Sequence, residues 1–254
     1  MQDKDFLGYF GQLGQQSTAS ELKQASSNIV NTLLAAATAA GKRRASSIDE
    51  NDPKAKQLAR FQQKYLTGDL GDGMSADLNY TLKRALSGLI SDDHTVKRGY
   101  FLVAVDVLSR FRKQVDLVKL IKYIRKETKT TATMKNPEVH ALVIGQMMCL
   151  SAIVDSQLYQ ASATQVSQEG VIFLVADLVQ LYKNHDYTRE SLQTVFTRML
   201  SKAGSEAQGA RVLEQLMAKL VPEETNFKQY IFQHSDNLSL FLALRHAHLE
   251  KFAD

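Results

Sequence analysis

Apolar residues recur at helical spacing along nearly the whole chain, and no convincing run alternates apolar with polar positions. The pattern predicts helices over roughly 3–14, 19–40, 53–67, 75–90, 93–112, 114–128, 136–160, 165–184, 188–202, 205–220 and 236–252, with 224–234 ambiguous. The three prolines agree with this reading. Asp52-Pro53, Asn136-Pro137 and Val221-Pro222 each place Pro where a helix would start, and the first two have good capping residues before it. Connections are short, and two segments read as flexible loops: 41–52, charged and polar, and 68–74, rich in Gly and Asp.

Several helices are apolar on more than one face. Around 99–111, Tyr100, Phe101, Leu102, Val103, Val105, Val107, Leu108 and Phe111 cover most of the circumference. Segments 141–154 and 171–182 behave alike. Such helices must be sandwiched. Phe101, Val105, Leu108, Leu142, Ile153, Leu174 and Leu178 are therefore expected in the core. Short turns and buried helices predict an all-α chain, residues 1–254, folded as a single HEAT- or armadillo-like α-solenoid of antiparallel helix pairs. A globular helical bundle is the alternative. No strict repeat at a fixed period is present, so the solenoid rests on helix number and loop length.

Composition narrows the class. In 254 residues there are 3 Pro, 13 Gly and 1 Cys, which excludes collagen, extended disorder and a disulfide framework. The lone Cys149 sits in an apolar run and reads as core, in a reducing compartment. No uninterrupted apolar run approaches the ~18 residues of a membrane span. His140–Val154 and Val171–Val179 are short and broken by Gln146 and Asp177. No membrane partner and no secretory leader are expected.

Candidate chemistry is sparse. His94, His140, His185, His234, His246 and His248 form no metal-ligand spacing, and no serine lies in a nucleophile elbow. Asp69/Asp72, Asp92/Asp93 and Glu223/Glu224 are acidic pairs of the kind that hold catalytic metals, but they fall in a Gly-rich turn and at helix starts. The Gly68–Gly73 segment lacks the Lys-Ser/Thr and the preceding strand of a phosphate loop. The reading is therefore no enzyme, no cofactor, no metal and no small-molecule substrate.

Charge is the anomaly. The chain carries a net +4, yet 110–129 alone holds Arg110, Arg112, Lys113, Lys119, Lys122, Arg125, Lys126 and Lys129 against Asp116 and Glu127. Lys119, Lys122, Arg125, Lys126 and Lys129 share an arc of about 120° on a helix, and Leu117, Leu120, Ile121 and Ile124 a separate arc of about 100°. A cationic face of this kind suits phosphate contacts without base specificity, whereas an ordinary solvated face is the bland reading. Tyr123 lies near the arc as a candidate stacking residue. A second basic cluster, Lys42-Arg43-Arg44, precedes Ser46 in the Arg-Arg-x-Ser order that basophilic kinases read, and also looks like a minimal nuclear import signal.

Residues 78–111 carry a recognisable order: Tyr80, Leu82, Lys83, Arg84, Gly88 and Leu89, a charged turn, then Arg98, Gly99 and the pair Tyr100-Phe101. This resembles the first helical repeats of the Myb-binding protein 1A / DNA polymerase phi family, also called the DNA polymerase V family. Ile144 to Ser156 is similar to the family's glycine-containing apolar helix, with Gln146 where an Arg is expected and Cys149 where a second Gly is. The resemblance implies a nucleolar scaffold in rRNA transcription and ribosome biogenesis. Its expected partners are proteins of that machinery, with rRNA or rDNA as further contacts. Family members carry a Lys/Arg-rich tail that Leu249–Asp254 does not resemble, so a fragment or a shortened relative is expected. A HEAT-type adaptor with protein partners only is the rival function, and nucleotidyl transfer, suggested by the family name, the third.

Overall fold

The computed structural model describes residues 9–13, 18–39, 68–160, 168–203, 206–221, 229–230, 232 and 235–252. Among them there is no strand. The helices are α1 (Ala19–Ala39), α2 (Ala76–Ile90), α3 (His94–Arg110), α4 (Leu117–Glu127), α5 (Asn136–Asp155), α6 (Gln168–Asn184), α7 (Arg189–Ser201), α8 (Glu206–Leu220) and α9 (Ser235–Phe252). The expected helix 53–67, the ambiguous segment 224–234 in large part, the loop 41–52 and Ser46 lie outside the described residues.

Caps set the helix starts. Thr18 and Glu21 cap α1 reciprocally: the Thr18 amide donates to Glu21 Oε2 at 2.6 Å, and the Glu21 amide donates to Thr18 Oγ1 at 3.4 Å. The bond from the Thr18 amide holds the Glu21 carboxyl below its ordinary pKa. Ser75 Oγ accepts from the Leu78 amide of α2, and Asp116 Oδ1 from the Lys119 amide of α4. At α5, Pro137 occupies the first turn, and Glu138 reaches back to accept from the Lys135 amide at 3.1 Å.

Packing follows a simple order. Each odd helix from α1 touches the next odd one, and each even helix from α2 touches the next even one. The successive pairs α2/α3, α4/α5, α6/α7 and α8/α9 also touch. One continuous core runs through these contacts, from Ile29 of α1 through Leu86, Leu108, Ile153, Leu178 and Phe196 to Leu244 of α9. Polar ties reinforce it. Ser26 Oγ donates to Asp106 Oδ2 between α1 and α3, and Asp155 at the end of α5 binds both Arg198 and Lys202.

Four expected core residues, Leu108, Ile153, Leu174 and Leu178, are fully buried. Phe101, Val105 and Leu142 are half-buried, because α3 and α5 are covered by neighbours on only part of their circumference. α5 is a correction to the run-length argument: its 20 residues, mean hydropathy 1.5, are long and apolar enough to cross a membrane by length and composition. Its apolarity matches its place against α2, α3, α4, α6 and α7. α5 also stops at Asp155 rather than near 160. Gln157 turns the chain with φ +57°, and a short 3-10 turn, Leu158–Gln160, buries Leu158 and Tyr159.

The Gly-rich loop 68–74 is tied down at several points. The Asp116 amide donates to the Leu70 carbonyl at 2.8 Å. Asn79 Nδ2 and Lys83 Nζ both donate to the Gly68 carbonyl, and the Leu70 amide donates to Asn79 Oδ1. Leu70 is buried. The loop thus fixes the start of α4 against α2.

Candidate nucleic-acid interface

α4 carries the cationic arc except for Lys129, which follows the Thr128 C-cap and lies outside the helix. Its apolar arc, Leu117, Leu120, Ile121 and Ile124, is wholly buried, so the opposite arc faces outward as its spacing predicts. Thr128 Oγ1 closes the C-terminal end on the Ile124 carbonyl at 2.8 Å.

The eight basic residues do not form one free face. Arg125 is bound to Asp177 of α6 through two nitrogens: Nε lies 2.8 and 3.1 Å from the carboxylate oxygens, and the second donor 2.6 Å away. Its guanidinium also sits 4.8 Å from the Phe173 ring centre. The Asp177 bonds raise the Arg125 pKa above its ordinary value, against the effect of burial. Arg125 is therefore a strut between α4 and α6. Lys119 donates to Asp72 of the Gly-rich loop at 2.6 Å, which raises its pKa; both partners are exposed, so the pair is weak.

Lys122, Lys126 and Lys129 remain exposed, with no ion pair. Arg110 closes α3 and Lys113 lies in the turn into α4, both exposed, while Arg112 is half-buried with its Nε buried and unbonded. The local excess of six positive charges falls to four once Asp72 and Asp177 are counted. Tyr123 is half-buried and takes the Lys83 ammonium 5.6 Å from its ring centre, so that face of the ring is not open for stacking.

The other candidates resolve into structure. Cys149 is fully buried on α5, and burial pushes its thiol pKa up. Among the described residues, no group of His, Cys, Asp and Glu is placed to hold a metal ion. His140 and His185 flank the exposed Tyr187 with ring centres 4.6 and 5.6 Å away, a grouping that sequence spacing does not reveal. Burial, then the charge of His140, lowers the His185 pKa.

Most motif residues of 78–111 are packing devices, and Arg98 is exposed. Tyr80 OH accepts from Arg84 at 2.8 Å, and the Arg84 guanidinium lies 4.7 Å from the Phe10 ring centre. Leu82 and Leu89 are buried. Gly88 lets Tyr100 of α3 press against α2, since a Cβ there would fall 2.2 Å from the Tyr100 ring. Gly145 does the same for α5: a Cβ would meet the Ile90 Cα at 2.7 Å and the Leu89 carbonyl at 3.0 Å. Both glycines are bought by close helix approach rather than by chemistry.

The family model for DNA polymerase phi matches residues 80–253. No curated protein and no solved structure matches the chain. The match spans the packing motif on α2 and α3, the α4 basic edge and the helices beyond it, and on that span the chain belongs to the DNA polymerase phi family.

Proposed function

We propose that the chain is a non-enzymatic α-solenoid scaffold of the nucleolus, acting in rRNA transcription and ribosome biogenesis. It contacts proteins of that machinery and, through Lys122, Lys126 and Lys129, rRNA or rDNA. Family membership supports the setting. The alternation of same-row and paired helix contacts supports the solenoid, because stacked helical repeats bury their faces against the next repeat. The observation that carries the polyanion contact is the uncommitted trio of Lys122 and Lys126 on α4 and Lys129 just past it, which stays exposed while Lys119 and Arg125 are engaged.

The non-enzymatic part is supported by the two covered carboxylates: Asp155 holds Arg198 and Lys202, and Asp177 holds Arg125, while Asp72 is exposed and only weakly paired with Lys119. Crosslinking the tagged chain in cells and sequencing the RNA recovered tests the reading. Enrichment of pre-ribosomal RNA, reduced by reversing Lys122, Lys126 and Lys129, is expected. Recovery of proteins without RNA would favour the adaptor reading, and metal-dependent primer extension by the pure chain would restore the enzymatic one.

A further inference from the structure

The open sides of α3 and α5 face one cleft. Phe101 and Leu102 of α3 and Ile144 and Met148 of α5 line a cavity of about 480 Å³ between these neighbouring helices. More than half of the most apolar stretch of α5 is left unburied. One end of the cleft carries Lys97 and Arg98, and His94 completes its lining.

Lys97 is the unusual member. Its side chain is 4% exposed, yet its ammonium is buried with no hydrogen-bond partner. Asp92, exposed in the turn before α3, acts on Lys97 only through space, and the buried Cys149 thiol is neutral. Burial lowers its pKa. A buried ammonium without an acceptor is costly, and such groups are normally paired. The four-carbon stem lets the head swing to an acceptor placed in the cleft. Arg98, exposed and without an ion pair, stands one residue away.

The complement of this surface has two parts: apolar side chains to fill the cleft, and a carboxylate at its α3 N-terminal end. An amphipathic helix laid in a groove supplies both, through anchors at helical spacing and a flanking acidic residue. Nucleic acid fits poorly, because its phosphates would lie against Phe, Leu, Ile and Met. We propose that the α3/α5 cleft docks an acidic amphipathic helix of a partner protein, its apolar residues on Phe101, Leu102, Ile144 and Met148 and its carboxylate on Lys97 and Arg98. The site shares no residue with the Lys122, Lys126 and Lys129 trio and stands apart from the nucleolar reading.

Fluorescence polarisation of the full chain tests it. The probe is a fluorescein-labelled peptide of about 15 residues with leucines along one helical face and glutamates beside them, compared with a glutamine twin. The glutamate peptide should bind at least about tenfold tighter than the twin, and Lys97→Met and Ile144→Lys should each remove about tenfold. Lys97→Met should leave the thermal midpoint unchanged or higher, since it removes an unpaired buried charge. A lower midpoint would mean that Lys97 is satisfied inside the fold, and would overturn the proposal. So would equal binding of the two peptides, indifference to Lys97→Met, or no binding at about 100 µM. Self-association abolished by Ile144→Lys, or RNA binding abolished by Lys97→Met, would also overturn it by assigning the cleft another occupant.

Discussion

Arg125 offers a way to separate scaffold from interface on a single helix. Arg125→Met would leave the Asp177 carboxylate, 5% exposed, without its partner, and would also remove the guanidinium from the Phe173 ring. Breaking a fully buried pair costs about 3–5 kcal/mol. Arg125 is itself 39% exposed, so screening reduces this to about 2–3 kcal/mol. The reverse change, Asp177→Ala, leaves a guanidinium that water can reach, and should cost about 1–2 kcal/mol. The double variant Arg125→Met/Asp177→Leu replaces the pair with apolar volume and should return to within about 1 kcal/mol of the parent. Urea denaturation, read as midpoint shifts at constant slope, measures all three. A cost below about 0.5 kcal/mol for Arg125→Met would equal that of an exposed surface pair and would refute the strut.

Leu108→Ala should cost about 2–5 kcal/mol in the same assay, because Leu108 is fully buried between α3 and its neighbours. Gln157→Gly should stabilise the chain by about 0.5–1 kcal/mol, since Gln157 holds a left-handed φ of +57° after α5; a loss would show that the Gln side chain anchors the turn. The His185 pKa is lowered in the fold, so its neutral form is favoured there. Its contribution is full above the unfolded value of about 6.5 and is lost as pH falls through the folded value. The thermal midpoint should therefore drop more between about pH 7 and 5 for the parent than for His185→Gln.

Periodicity located the helices because each buries an apolar stripe, and Pro137 marked a start because its ring suits a first turn. The apolar arc of α4 was legible for the same reason. The end of α5 was not: Val154 to Gln160 contains no Gly or Pro, and Leu158 and Tyr159 continue the apolar pattern while the backbone turns at Gln157. The commitment of Arg125 was hidden too. Asp177 lies 52 residues away, and a helical wheel shows a face without its neighbour. Phe101, Val105 and Leu142 were read as core because apolarity around a helix implies cover on every side, yet all three are half-buried, Phe101 on the α3/α5 cleft. The Gly-rich loop read as flexible because its anchors, Asn79, Lys83 and Asp116, lie on other elements.

The central claim is that Lys122 and Lys126 of α4, with Lys129 just past its C-cap, meet a polyanion while the helix itself stays folded. A filter-binding titration of single-stranded RNA tests it on the parent and on Lys122→Glu/Lys126→Glu/Lys129→Glu, at about 50 and 200 mM salt. Three phosphate contacts at a slope of about −0.7 each account for roughly a 20-fold loss of parent affinity over that range. The variant should bind more weakly across RNA sequences, with a salt slope shallower by about 2, and should keep the parent's helical content because the buried arc is untouched. Equal affinities and equal salt slopes for the two proteins would contradict the account.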